Sequence, residues 1–174
     1  MIKLIILDVD GTLTRGEIII GSNGEELKAF NAKDGYLINN AGKKCGKEFA
    51  IITGRKSKIV DIRAGEIGIK YVYQGIKNKV EIYKKLKEEL KLQDEEIAYM
   101  GDDLNDYTVM KLAGLKGAPE DACEEIREIA DYVSSKKGGE GAVREFLEYL
   151  LKKENLWSKI IENNHGNQEE QNGN

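Results

Sequence analysis

The chain has 174 residues, 40% of them apolar and 33% charged, which is enough for one domain with a substantial core. Its 27 basic and 31 acidic residues leave a formal charge of −4, which argues against nonspecific nucleic-acid binding, and no apolar run nears the ~18 residues that would span a bilayer. The single histidine, His165, lies in a polar C-terminal stretch, so a Ser-His-Asp triad, a Cys-His pair and a histidine-rich zinc site are all excluded.

Residues 3–7, apolar from Leu4 onward, form a run ending at Asp8, the pattern of a buried parallel strand. This opening is too short and too soon acidic for a signal peptide. With only Cys45 and Cys123 there is no disulfide framework, and a reducing cytoplasm is expected. Residues 17–20 and 27–30 flank Gly21-Ser22-Asn23-Gly24 and predict a projecting hairpin. Next come a helix over 34–41, a buried strand over 49–52 ending at Thr53-Gly54, a helix over 57–67 and a short strand over 71–73. A helix over 79–92 places Ile82, Leu86 and Leu90 on one stripe. A strand over 97–100 ends at Gly101-Asp102, followed by a helix over 103–113 and a strand over 115–118. A helix over 120–130 aligns Ala122, Ile126, Ile129 and Ala130, and residues 132–133 suggest a last strand. Val143, Phe146, Leu147, Leu150 and Leu151 then follow helical spacing. Strand-helix alternation predicts an α/β fold, a doubly wound parallel sheet, in one domain over residues 1–152. Residues 153–162 suggest a helical extension, and 163–174 a disordered tail.

Three predicted strands end in acidic or hydroxyl residues: Asp8-Val9-Asp10, Thr53, and Asp102-Asp103. Ligands of an open parallel sheet bind beyond the carboxyl ends of its strands, so these residues should converge. Asp8, Asp10 and Asp102 would then put three carboxylates in one small space, which favours a cation among them. Oxygen donors without His or Cys select a hard ion, Mg²⁺. Asn78 suits an N-cap, with Glu81 three residues on as a variant capping box. Lys79 then stands in a first helical turn, where a cation is disfavoured by roughly 0.3–1 kcal/mol. It is either a solvated surface lysine or one aimed at an anion. A metal, a lysine, a hydroxyl and two carboxylates suit phosphoryl transfer. One carboxylate attacks phosphorus and the other exchanges a proton with the leaving oxygen.

LDVDGTLT at residues 7–14, ITGR at 52–55, Lys79 and GDDLND at 101–106 resemble the four ordered motifs of the haloacid dehalogenase superfamily of phosphotransferases. The resemblance implies that Asp8 is the nucleophile that becomes an aspartyl-phosphate. It implies that Asp10 is the general acid and then the base, that Thr53 hydrogen-bonds the phosphoryl group, and that Lys79 balances its charge. Mg²⁺ would be held by Asp8, Asp102 and the main-chain carbonyl of Asp10, with Asp103 and Asp106 positioning its waters. The spacing between motifs leaves no room for a cap domain. Substrate would then be shielded from water by a neighbouring subunit or be itself a macromolecule.

NGEELKAFNAKDGYLI at 23–38 and GGEGAVREFLEYLL at 138–151 are similar to segments of the 3-deoxy-manno-octulosonate 8-phosphate phosphatases. That resemblance implies a homotetramer assembled through the hairpin, with a small sugar-acid phosphate as substrate. It implies a flexible hinge at 138–141, which carries the C-terminal segment toward a neighbour's site. Substrate contacts would fall on Asn31, Ala32, Lys33, Asp34, Gly35, Arg55, Arg63 and Lys79, besides Asp10. Thr12 stands where the family often has valine. A sister group acting on nine-carbon, sialic-acid-type 9-phosphates shares the scaffold but carries an acidic residue at the position of Arg55, which favours the eight-carbon acid. From different classes, the alternatives are a phosphoryl-switch module like a receiver domain and a partner-binding subunit without turnover. The placement of Asp8 after the first strand, and the presence of Asp10, distinguish this chain from a receiver.

Overall fold

Four consecutive apolar residues bury both faces of the first strand, β1 (Leu4–Leu7), at the centre of the fold. The structure, a computed structural model, describes residues 1–24 and 26–162. The predicted disordered tail from Asn163 lies outside the described residues. The other sheet strands are β4 (Glu48–Ile52), β5 (Tyr71–Tyr73), β6 (Ile97–Met100), β7 (Leu115–Ala118) and β8 (Tyr132–Val133). They form one six-stranded sheet in the order β5-β4-β1-β6-β7-β8, and every pairing is parallel.

Side chains alternate across the sheet, so β1 feeds two cores. Ile5 and Leu7 join Phe49, Ile51 and Met100 under α1 (Ala32–Cys45), α2 (Lys58–Ile67) and α6 (Ala142–Lys153). Leu4 and Ile6 join Ala50, Ile52 and Tyr99 under α3 (Lys79–Glu89), α4 (Leu104–Met110) and α5 (Glu124–Ile129). The chain is therefore a doubly wound three-layer α/β domain. Chain order moves outward from β1 to β4 and β5, then jumps to β6 on the other side. The strand order reverses beside β1, which puts the ends of β1 and β6 on a crevice where ligands bind.

Several boundaries differ from the sequence-based expectation. The hairpin strands β2 (Ile19–Ile20) and β3 (Glu26–Leu27) pair over two positions each. A lone ribbon outside the sheet has little to pack on: Ile19, Ile20 and Leu27 are 50%, 66% and 62% exposed. Helix α1 starts earlier than predicted because the Asn31 side chain caps Lys33 N–H, and it runs on to Gly46. Helix α3 starts at Lys79 as expected, but Asn78 makes no side-chain cap bond. The buried residues on α3 are Lys79, Tyr83 and Leu86, while Ile82 and Leu90 are only partly covered. Helix α5 starts only at Glu124, because Cys123 N–H is taken by the carbonyl of Asp102 at 2.9 Å.

Val143, Phe146, Leu147, Leu150 and Leu151 are all buried on α6. The predicted extension is α7 (Trp157–Glu162), which packs Ile160 against the first core. Glu154, at the end of α6, ion-pairs with buried Lys47 and accepts from Ile2 N–H. No helix among the described residues is long and apolar enough to cross a membrane. Cys45 and Cys123 are free thiols.

Candidate active site

Beyond β1 the backbone makes a tight turn that Thr14 N–H closes onto the carbonyl of Val9 at 3.0 Å. The turn needs Gly11, whose φ is +94° and whose missing Cβ would lie 2.0 Å from the Asp102 carboxylate. It presents Asp8 inward and Asp10 toward a cleft of about 200 Å³. Thr53, Gly54 and Arg55 after β4, and Asp102, Asp103 and Asn105 after β6, complete the walls of that cleft.

Asp8 is 4% exposed, and its carboxylate accepts from Val9 N–H at 2.7 Å and pairs with Lys79 Nζ at 3.0 Å. Lys79 also reaches Asp106 at 2.7 Å. Asp106 is fully buried, accepts from Tyr99 Oη at 2.7 Å and from Asp102 N–H at 3.2 Å, and thus braces both the lysine and the β6 turn. Asp102 accepts from Thr12 Oγ1 at 3.0 Å. Of the two readings left open for Lys79, the structure selects the one in which it faces anions.

One carboxylate oxygen from each of Asp8, Asp102 and Asp106 lies within 4.8 Å of the others. Burial and then Asp106 push the Asp8 carboxyl up to about 7, against the opposing pull of Lys79. Burial, Asp8 and Asp106 push Asp102 up to about 8. Burial alone would lower the lysine, but Asp8 and Asp106 outweigh it and raise Lys79 above its usual value. Negative charge is thus in excess at an all-oxygen donor set, the environment in which a hard divalent cation such as Mg²⁺ is favoured.

The third carboxylate of this cluster is Asp106, where the sequence suggested Asp10. The Asp10 side chain instead pairs with cations from the hairpin and from the end of β4. Lys28 Nζ lies 2.5 Å and Arg55 Nε 3.9 Å from its oxygens. Glu26 ties the two cations together, at 3.3 Å from Lys28 and 3.2 Å from Arg55. Asp103 is exposed and caps α4 through Leu104 N–H. Thr53 is buried, held by backbone bonds to Tyr73 and Ile76.

The remaining predicted contacts lie elsewhere. Asn31 caps α1, Ala32 and Lys33 are exposed, and Asp34 is buried, accepting Arg144 N–H at 2.7 Å. Arg63 lies 5.7 Å from the Phe30 ring centre and donates to the Asn31 carbonyl. Asn31, Asp34, Gly35 and Arg63 border a separate shallow depression, which Ala32 and Lys33 do not line.

The glycine-rich segment at 138–141 packs within its own chain. Gly139 N–H bonds the Thr12 carbonyl at 3.1 Å, and a Cβ on Gly138 would lie 1.8 Å from the Gly11 carbonyl oxygen.

Sequence reasoning missed Tyr99, Lys28, Glu26 and Asn105, and gave Thr12 no role. Tyr99 had a visible signal: a hydroxyl in an otherwise apolar buried strand needs a partner. Lys28 and Glu26 had none, because nothing local shows that the hairpin folds back over the cleft.

A sequence profile of the haloacid dehalogenase-like hydrolases matches residues 56–147. The 3-deoxy-D-manno-octulosonate 8-phosphate phosphatase KdsC of Escherichia coli (strain K12) is 50% identical over 150 residues, covering 86% of this chain and 79% of that protein. The chain belongs to this phosphatase family of haloacid dehalogenase-like hydrolases. Family members of known structure share the fold over nearly the whole length. The Yersinia pestis 3-deoxy-D-manno-octulosonate 8-phosphate phosphatase superposes with a TM-score of 0.88 at 43% identity, covering 90% of this chain and 84% of that one. The Moraxella catarrhalis phosphatase of the same name, crystallised with magnesium, phosphate and KDO, gives 0.88 at 42% identity, covering 92% of each chain.

Proposed function

We propose that this chain is a Mg²⁺-dependent phosphatase that hydrolyses 3-deoxy-D-manno-octulosonate 8-phosphate to the free sugar acid and phosphate. One observation carries the reading: a buried Asp8–Lys79–Asp106 array beside Asp102 at the reversal point of the sheet, in a chain half identical to an enzyme of that activity.

Asp8 attacks phosphorus through a carboxylate oxygen, and the bond from phosphorus to the sugar's O8 breaks. Asp10 protonates the departing alkoxide. It then takes a proton from water as the water's oxygen attacks phosphorus, and the bond to Asp8 breaks to release phosphate. Thr53 and Lys79 hold the phosphoryl oxygens, and Asp106 holds Lys79. Asp8 and Asp102, with the main-chain carbonyl of Asp10, would hold Mg²⁺, which when bound neutralises charge on the phosphoryl group. Arg55, half exposed at the cleft rim, suits the substrate's carboxylate or hydroxyls. The exposed Ala32 and Lys33, with Asn31, would meet substrate only across a subunit boundary. Asp34, Gly35 and Arg63 would support that edge from within.

The exposed apolar hairpin supports a homotetramer whose subunits cover one another's open clefts. Two free cysteines accord with a cytoplasmic enzyme. The test is phosphate release, with Mg²⁺, from the octulosonate 8-phosphate beside nine-carbon 9-phosphates and hexose phosphates. Preference for the octulosonate is expected, with no turnover in Asp8→Asn and reversible loss on chelation. A preference for nine-carbon acids would overturn the substrate assignment, and an aspartyl-phosphate lasting minutes would favour a switch.

A further inference from the structure

The hairpin contributes a charged group to the cleft that the reaction scheme above does not use. The Lys28 side chain is 1% exposed and ends 2.5 Å from Asp10 Oδ1. A buried ammonium is unfavourable by several kcal/mol unless it is paired and hydrogen-bonded. Its partners are Asp10 and Glu26. Glu26 in turn bonds Arg55, whose Nε faces the other oxygen of Asp10. Asp10, Lys28, Glu26 and Arg55 thus close a square of alternating charge.

The square fixes a direction. Asp10 follows Asp8 by two residues, yet its carboxylate does not join the buried cluster of Asp8, Asp102 and Asp106. That cluster is already crowded with negative charge, and Lys28 and Arg55 are positive. Lys28 and Arg55 hold the Asp10 side chain at the cleft, outside the cluster that contains Asp8. Nucleophile and leaving group lie on opposite sides of phosphorus, so a proton donor for the leaving oxygen has to be held apart from Asp8.

We infer that Lys28 is a positioning residue: it reaches from the hairpin to orient the Asp10 carboxylate toward the leaving oxygen. The inference rests on the reading of Asp10 as the proton donor. It also gives the hairpin a function within its own subunit, since the strand that exposes Leu27 is followed directly by Lys28, pointing the other way.

The experiment compares two leaving groups by rapid-mixing kinetics, with Mg²⁺ present. An alkyl phosphate, the octulosonate 8-phosphate, needs a proton on its leaving oxygen, whereas p-nitrophenyl phosphate releases a stable phenolate without one. In Lys28→Met, phosphoenzyme formation from the alkyl phosphate should slow by about 10- to 100-fold and that from the aryl phosphate by less than about threefold, with KM little changed. Lys28→Arg should restore most of the alkyl rate. Equal losses with both leaving groups, a loss confined to KM, or an arginine variant that restores nothing would each overturn the role of Lys28. Asp10→Asn is the reference. If it fails to discriminate between the leaving groups, Asp10 is not the donor, and both readings fall at that point rather than at Lys28.

Discussion

Asp34 should make the fold less stable as pH rises, and Asp34→Asn should remove that loss. Asp34 is 1% exposed near the start of α1, where one oxygen accepts Arg144 N–H at 2.7 Å and the other has no partner. Burial raises its carboxyl from 3.8 to about 6, only partly offset by the Arg144 N–H bond and the charges of Arg144 and Arg63. Between those two values the folded chain keeps a proton that the unfolded chain has lost. Stability therefore falls as pH rises through this window and is level above it. The gap corresponds to about 3 kcal/mol. Asparagine keeps the acceptor for Arg144 and carries no charge at any pH. Urea unfolding of both proteins at half-unit steps from pH 4 to 8 isolates this one group, because every other titration is common to the pair. The asparagine variant should match the parent near pH 4 and exceed it by about 3 kcal/mol at pH 7.5, some 6–12 °C in Tm for a domain of this size. A difference that does not change with pH, or a variant less stable than the parent at pH 7.5, would refute the argument.

Breaking the buried pair of Lys47 and Glu154 by Glu154→Ala should lower stability by about 3–5 kcal/mol in a denaturant titration. The double variant Lys47→Met, Glu154→Leu should recover most of it, since neither charge is then stranded. Tyr99→Phe removes one of three donors to Asp106, so stability should drop by about 1.5–3 kcal/mol by calorimetry and kcat should fall with it. Gly138→Ala forces the Asp10 turn to shift against a carbonyl 1.8 Å from the new methyl. Its kcat should fall by about 100-fold while its circular dichroism stays native.

The strands of the sheet were legible because buried parallel strands appear as short continuous apolar runs, as at 49–52 and 97–100, whereas their spatial order came only from the fold. Element ends were less legible. The late start of α5 depends on a bond between Cys123 N–H and the Asp102 carbonyl, residues 21 apart in a chain whose local pattern is helical from 120.

The amino-acid sequence alone determined the chemical inventory. It supplies aspartates, a threonine and a lysine at strand ends and a helix start, with neither histidine nor cysteine among them. Strand-end position is a one-dimensional property, so those residues could be placed at one edge of the sheet before any fold was known. Only the tertiary structure decided which carboxylates share the cluster. Asp8 and Asp10 are two residues apart in sequence, but charge gives them different partners: Lys79 for Asp8, and Lys28 and Arg55 for Asp10. The same holds within 138–141, a run that looks like a hinge, where Gly138 and Gly139 pack on the turn around Gly11 and Thr14 with no room for a methyl. Such outcomes depend on distances between remote segments, which burial and electrostatics set only once the chain has closed.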